Sequence, residues 1–364
     1  MDPEQVQGDT ALVTAPKKEA VKYPFIDFVR FISMMGIVWA HTEAFPQGID
    51  AFHFLKENGH AEAYIFFKQF FKFSVFCFFL ISGFLLGDKI THVLPLQYFR
   101  RRIDSTLRPY LISLGIFLVI FFSVHSANGE HFTLLQGAKQ IAFLLIGTPF
   151  WFIPTYFVSL IVILLFVRFV DSIYFGLLLL IITGIYTFPN EYTHEFVHGH
   201  TTTFFGFIFY IWFGIYVRRK QLVERFKKIN IGVLLALMGV FYVISSFESL
   251  WMFNHNNDLF FNILRLSNQF YGITVFIFLI RICGEHPTFG FFNPRKETYG
   301  VYLYHFYFVA FIFPFVYTWL HRHISAHFES TYTVMVLSVV HFLLCYICTT
   351  LFVKLLIRIK APVL

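Results

Sequence analysis

After residue 22 the chain alternates apolar runs with short polar or basic breaks, and the runs are each about twenty residues long. An α-helix rises about 1.5 Å per residue, so a run of that length crosses the hydrocarbon core of a bilayer. Windows of this size place spans near 25–44, 63–86, 107–124, 152–169, 173–189, 203–217, 231–248, 260–281, 298–320 and 332–356. The pattern therefore predicts an all-α, polytopic integral membrane protein with about ten transmembrane helices. Ile141 to Phe150 is too short to span, and with Pro149 and Pro154 at hand it reads as a re-entrant or interfacial piece leading into the fourth span. The first 22 residues are polar, contain two prolines and lack an apolar core, which predicts a disordered cytoplasmic tail rather than a cleaved signal peptide. Residues 23–364 then form one membrane domain.

Composition agrees with the pattern. Hydrophobic residues make up 57% and charged residues only 13%, against about 25% charged in an ordinary soluble domain. A net charge of +7 raises nucleic acid as a partner, but in a membrane protein the placement of cations carries more information than their sum, and no nucleic-acid partner is expected. Lys and Arg should crowd the loops on one side. One set holds Lys17, Lys18 and Lys22, the basic loop with Arg100, Arg101, Arg102 and Arg108, then Arg168, the cluster from Arg218 to Lys228, Arg281, Arg295 and Lys296, and finally Lys354, Arg358 and Lys360. The opposite loops hold little more than Lys56, Lys139 and Arg322. An even number of spans with both termini cytoplasmic satisfies every loop. Cys77, Cys283, Cys345 and Cys348 all fall in or beside apolar segments, which reads as core packing rather than a disulfide framework or a metal site.

Candidate chemistry concentrates on the first span. It carries Asp27, Arg30 and His41, and ionisable groups inside a membrane segment are costly to bury. Arg30 and His41 are eleven residues apart, about three helical turns plus 20°, so both project from one face about 16.5 Å apart. A fixed guanidinium suits a phosphate-bearing donor, and an imidazole suits removal of a hydroxyl proton near neutral pH. The plainer reading pairs Arg30 with Asp27 on the same face and leaves His41 at an interface.

The stretch IDFVRFISMMGIVWAH resembles the opening helix of the membrane acyltransferase type three family, whose members carry an Arg or Lys, ten intervening residues, then His in this place. FFLISGFLLG at 78–87, FRRRIDSTLRPYL at 99–111, PFWFIPTYF at 149–157, FGFIFYIWFGIYVRRK at 205–220 and ETYGVYLYHF at 297–306 follow in that family's order. The resemblance spans nearly the whole chain. It implies transfer of an acyl group, usually acetyl, from cytoplasmic acyl-CoA to a hydroxyl of a lipid-linked or extracytoplasmic saccharide. By resemblance His41 is catalytic and Arg30 essential toward the donor. Arg100, Arg101 and Arg102 either meet the donor's phosphates or serve topology alone. Many members have a second Arg three residues beyond this run, where this chain has Ser105.

Further residues are candidates for donor contact or cavity lining, each with a structural alternative. Ser82 and Gly83 give close approach to a thioester arm or a neighbouring helix. Trp151 and Tyr302 are cavity or interfacial aromatics. His305 needs a partner where it is buried, and Glu248 and Arg265 either pair or line an acceptor cavity. The expected partners are the bilayer, a glycan or glycolipid acceptor, and a second copy or a biosynthetic complex, in a cell membrane and most simply the bacterial inner membrane. Two other functions compete. Polar residues inside spans also suit a glycan-precursor transporter or flippase, although the two halves share no repeat. HEFVH at 194–198 matches a zinc-peptidase signature, but it falls in a loop of about 15 residues, and no metal is expected.

Overall fold

The computed structural model describes residues 23–45, 50–90, 94–188, 192, 203–283, 291–316 and 330–361. Among the described residues every regular element is helical and no strand occurs. Helices are the expected answer for apolar runs, because a helix satisfies all its backbone hydrogen bonds within one segment. In chain order they are α1 (Pro24–His41), α2 (Ala51–Asn58), α3 (Ala61–Gln69), α4 (Ser74–Lys89), α5 (Pro95–Arg102), α6 (Arg108–Ala127) and α7 (Leu134–Ile146). There follow α8 (Phe152–Leu165), α9 (Ile173–Phe188), α10 (Ile208–Arg219), α11 (Val223–Phe226), α12 (Ile231–Asn254), α13 (Leu266–Ile282), α14 (Pro294–Tyr307) and α15 (Thr331–Arg358).

Each of the ten predicted spans is mainly helical in its described part, but length separates them. Among the described residues six helices are long and apolar enough to cross a membrane alone: Ala61–Lys89, Pro95–Ala127, Ile231–Asn254, Asp258–Ile282, Pro294–Val316 and Thr331–Arg358. A seventh arises if Leu134–Ile146 and Pro149–Leu165, bent by 68°, act as one span. The bend falls where Gly147 closes α7 and Pro149 starts the next turn, at the foot of the piece read as re-entrant. The other predicted spans are shorter helices: α1 has 18 residues and includes Asp27, Arg30 and His41, α9 has 16, and α10 has 12.

Burial sorts the long helices into a centre and a rim. The most apolar windows of Ala61–Lys89 and Asp258–Ile282 are 61% and 72% buried, those of Pro95–Ala127 and Ile231–Asn254 only 22% and 17%. Large apolar side chains face outward on α9 (Leu177, Ile181, Ile185), α12 (Val233, Leu237, Val240) and α15 (Leu344, Ile347, Leu351). An outward apolar belt of this kind belongs in lipid, and the chain is a multi-pass membrane protein.

The tightest contact is between α4 and α10. A Cβ on Gly83 would stand 2.0 Å from the Ile211 carbonyl oxygen, and one on Gly214 2.1 Å from that of Leu80, so the two backbones touch where side chains would hold them apart. Outside the spans, Arg219 forks onto Asp171, Nε to Oδ1 at 2.6 Å and Nη2 to Oδ2 at 2.5 Å, tying the end of α10 to the turn before α9. That fork holds the Asp171 carboxyl below its ordinary range. Against this centre α1 packs between α4 and α14, with α13 and α15 behind.

Candidate active site

Helix α1 starts at Pro24, whose ring is tolerated in a first turn, and runs unbroken to His41, where the Thr42 hydroxyl donates back to the Val38 carbonyl at 3.0 Å. Arg30 and His41 therefore lie on one continuous helix. Each lines a cavity. The first, of about 270 Å³, is lined by Arg30 and Ile37 of α1, Phe78, Ile81 and Ser82 of α4, Phe152 and Tyr156 of α8, and Thr298, Tyr299 and Tyr302 of α14. The second, of about 30 Å³, holds His41, Trp39, Lys68, Lys72 and again Ile37. Ile37 lies about 10.5 Å along the axis from Arg30 and about 6 Å from His41, so it is the partition between the two.

The larger cavity is electropositive. Arg30, Arg102 and Arg295 all line it, and among the described residues no carboxylate does. Arg30 also donates from Nη1 to Asp27 at 3.1 Å, so it pairs with that carboxylate while lining the cavity. Arg102 donates from Nε to the Tyr98 hydroxyl at 2.7 Å, and Arg295 arrives from the first turn of α14. The basic run expected in a loop is instead helical: α5 passes through one widened turn, Ile103–Leu107, into α6. Helical spacing explains why only Arg102 of the three points inward. Tyr98, Ser105 and Thr106 lie one turn away on its face, and Ser105 and Thr106 share the cavity. Arg100 and Arg101 are exposed. Tyr302 is tied to the Pro149 carbonyl at 2.9 Å and Tyr299 to that of Thr106, so α14 is clamped to both walls.

At the other end, the rings of His41 and His305 are 5.4 Å apart. His305 is fully buried, and its Nδ1 lies 2.8 Å from the Tyr302 carbonyl and 3.1 Å from that of Val301. Carbonyl oxygens only accept, so Nδ1 carries the proton and Nε2 keeps its lone pair, without a hydrogen-bond partner among the described residues. Lys68 Nζ donates to the Trp39 carbonyl at 2.9 Å and lies 3.5 Å from Glu43 Oε1. Lys72 Nζ donates to the Phe261 carbonyl at 2.5 Å.

Of the other residues singled out in the sequence, Ser82 lines the larger cavity while Gly83 faces α10. Trp151 is buried against Phe152 and Phe207 and lines neither cavity. Glu248 and Arg265 pair with each other at 3.9 Å in a separate polar knot with Gln69, Ser245 and Asn262. HEFVH lies outside the described residues, among which no cluster of three or more metal-ligating side chains occurs. The sequence reading passed over Lys68 and Lys72, although a cation inside an apolar span is itself a signal. It also passed over Tyr156 and the site role of Arg295, which come from elements far apart in the chain.

The chain is thus a membrane-embedded helical bundle with a guanidinium-lined cavity and a histidine-lined one on the same helix. The family model described as an acyltransferase domain matches residues 23–358, and the chain belongs to that type three acyltransferase family. Membership implies acyltransferase activity. No curated protein and no solved structure gives a significant match to the chain.

Proposed function

We propose that this enzyme moves an acyl group, acetyl foremost, from cytoplasmic acyl-CoA to a hydroxyl of a cell-surface or lipid-linked saccharide. The observation that carries the reading is that Arg30 and His41 share one face of an unbroken helix and line two cavities that meet at Ile37. Coenzyme A is too highly charged to enter hydrocarbon, so its phosphates stay at the mouth beside Arg30, Arg102 and Arg295. A cavity of about 270 Å³ admits its uncharged thiol arm but not the nucleotide. The thioester then approaches Ile37 from one side and the acceptor hydroxyl approaches His41 from the other. His41 takes the hydroxyl proton as the oxygen attacks the thioester carbon, the carbon–sulfur bond breaks, and the imidazolium returns the proton to the departing thiolate. His305, with its proton fixed on Nδ1, packs beside that imidazole with the ring centroids 5.4 Å apart. The proposed chemistry needs a donor on one side of a membrane and an acceptor on the other, and the bacterial inner membrane provides that two-sided supply.

The test is direct. Surface glycans from cells lacking the gene, and from cells restored with parent or His41→Ala protein, are compared by mass spectrometry. The parent restores an acyl mass increment and the variant does not, at equal membrane abundance. Full acylation by His41→Ala sinks the mechanism, and unchanged glycans in the deletion strain sink the acceptor assignment.

A further inference from the structure

The smaller cavity holds two ammonium groups, Lys68 and Lys72, that acyl transfer as described leaves without a task. They lie one turn apart inside Ala61–Lys89, a helical stretch long enough to cross the membrane. Removing an ammonium from water costs several kcal/mol even after relaxation, so its presence there calls for a reason. Each donates to one backbone carbonyl and sits over an aromatic ring, Lys72 at Phe261 with 5.2 Å to the centroid and Lys68 at Trp39 with 4.9 Å, so what sets Lys68 apart is that its partner belongs to α1, the helix of His41. Lys68, its side chain 1% exposed, has three N–H donors. One goes to the Trp39 carbonyl and one faces Glu43, so among the described residues one donor is left for the cavity it shares with His41.

We propose that Lys68 is a catalytic residue of acyl transfer, its ammonium stabilising the negative charge that develops on the thioester carbonyl oxygen. The inference rests on the acyl-transfer reading and names the group that completes it. When the acceptor oxygen bonds to the carbonyl carbon, the carbonyl π pair moves onto oxygen. When that pair re-forms the double bond, the carbon–sulfur bond breaks and the thiolate leaves. His41 handles the proton in both half-steps and has nothing with which to hold the oxyanion. A fixed cation in a site of about 30 Å³, shielded from water, does this at low reorganisation cost. The cavity has room for a carbonyl oxygen and a hydroxyl, not for a sugar ring, so a ligand reaches Lys68 only with its reacting atoms. The position is built for it: the Trp39 carbonyl belongs to the last turn of α1, two residues before His41, so one hydrogen bond sets the ammonium and the imidazole in register. The competing role is structural, since a cation there also caps the carbonyl end of α1.

Lys68→Gln separates the two, because an amide still donates to the Trp39 carbonyl but carries no charge. The assay uses inverted membrane vesicles from cells that make the native acceptor and lack the chromosomal copy, with radiolabelled acetyl-CoA or fluoroacetyl-CoA as donor. The maximal rate per enzyme molecule with acetyl-CoA should fall on the order of a hundredfold while KM for the donor stays within about threefold. The deficit should shrink about tenfold with fluoroacetyl-CoA, because fluorine itself stabilises the oxyanion. A maximal rate within threefold of the parent, or the same deficit with both donors, overturns the proposal. If Lys68→Gln does not accumulate in membranes, Lys68→Arg keeps the cap and displaces the charge, and the same two-donor comparison decides. Parent vesicles that transfer neither acyl group would overturn the acyl-transfer reading itself.

Discussion

A guanidinium contributes to phosphate binding in proportion to the N–H groups it still has free. Arg30 spends one on Asp27 and Arg102 spends one on Tyr98, while Arg295 makes no hydrogen bond to a described residue. Arg295 also stands where the family pattern leaves a gap: Ser105 occupies the place of a second basic-run arginine, and both residues line the same cavity. On the proposed reading Arg295 supplies from α14 the second charge that Ser105 does not. Because Arg295 is exposed, solvent and salt weaken it, and Arg295→Ala should raise KM for acetyl-CoA only about fivefold at low salt and less at high salt. Adding Ser105→Arg to that variant should recover most of the loss, which donor titrations on membranes would show. An unchanged KM for Arg295→Ala at low salt rejects this role. Arg30 and His41 were legible in the sequence because helical spacing fixes their common face. Arg295 was not, because its cavity is assembled by tertiary contacts between elements nearly two hundred residues apart.

Between elements, the α4–α10 crossing governs the wall of the larger cavity. Ser82 faces the cavity while its neighbour Gly83 lies against the Ile211 backbone, so the same turn lines the site and makes the closest helix contact. Gly83→Val has no side-chain tip that can yield, since the atoms it meets are backbone. It should cost about 1–3 kcal/mol and lower the unfolding midpoint in detergent by several degrees, with parallel loss of activity. An unshifted midpoint would mean that the two helices can part at little cost. Helix positions were legible here and helix lengths were not. An apolar window of about twenty residues finds a buried segment, but α10 ends after 12 residues because the bundle surrounds it and it need not face lipid along its length. The basic run was read as a loop because a hydropathy window cuts where charge begins, whereas a helix continues through charged residues that project to water.

For the molecule as a whole, the proposed function requires that donor and acceptor sites open to opposite sides of one barrier. Arg30 and His41 are about 16.5 Å apart along the axis of α1, roughly half of a hydrocarbon core of about 30 Å, so a short thiol arm and a surface hydroxyl can meet between them. This makes a topological prediction that does not depend on knowing the acceptor. In a chain whose Cys77, Cys283, Cys345 and Cys348 are replaced by Ala, Ser105→Cys places a thiol in the larger cavity, and Asp50→Cys places one beyond the His41 end of α1. A membrane-impermeant maleimide should label the first only in inverted vesicles, and acetyl-CoA should protect it. It should label the second only in right-side-out vesicles, with no protection. Labelling of both thiols from the same side would place donor and acceptor in one compartment and remove the need for two cavities joined at Ile37. Labelling from opposite sides, with protection confined to Ser105→Cys, is the result that a transfer across the barrier requires.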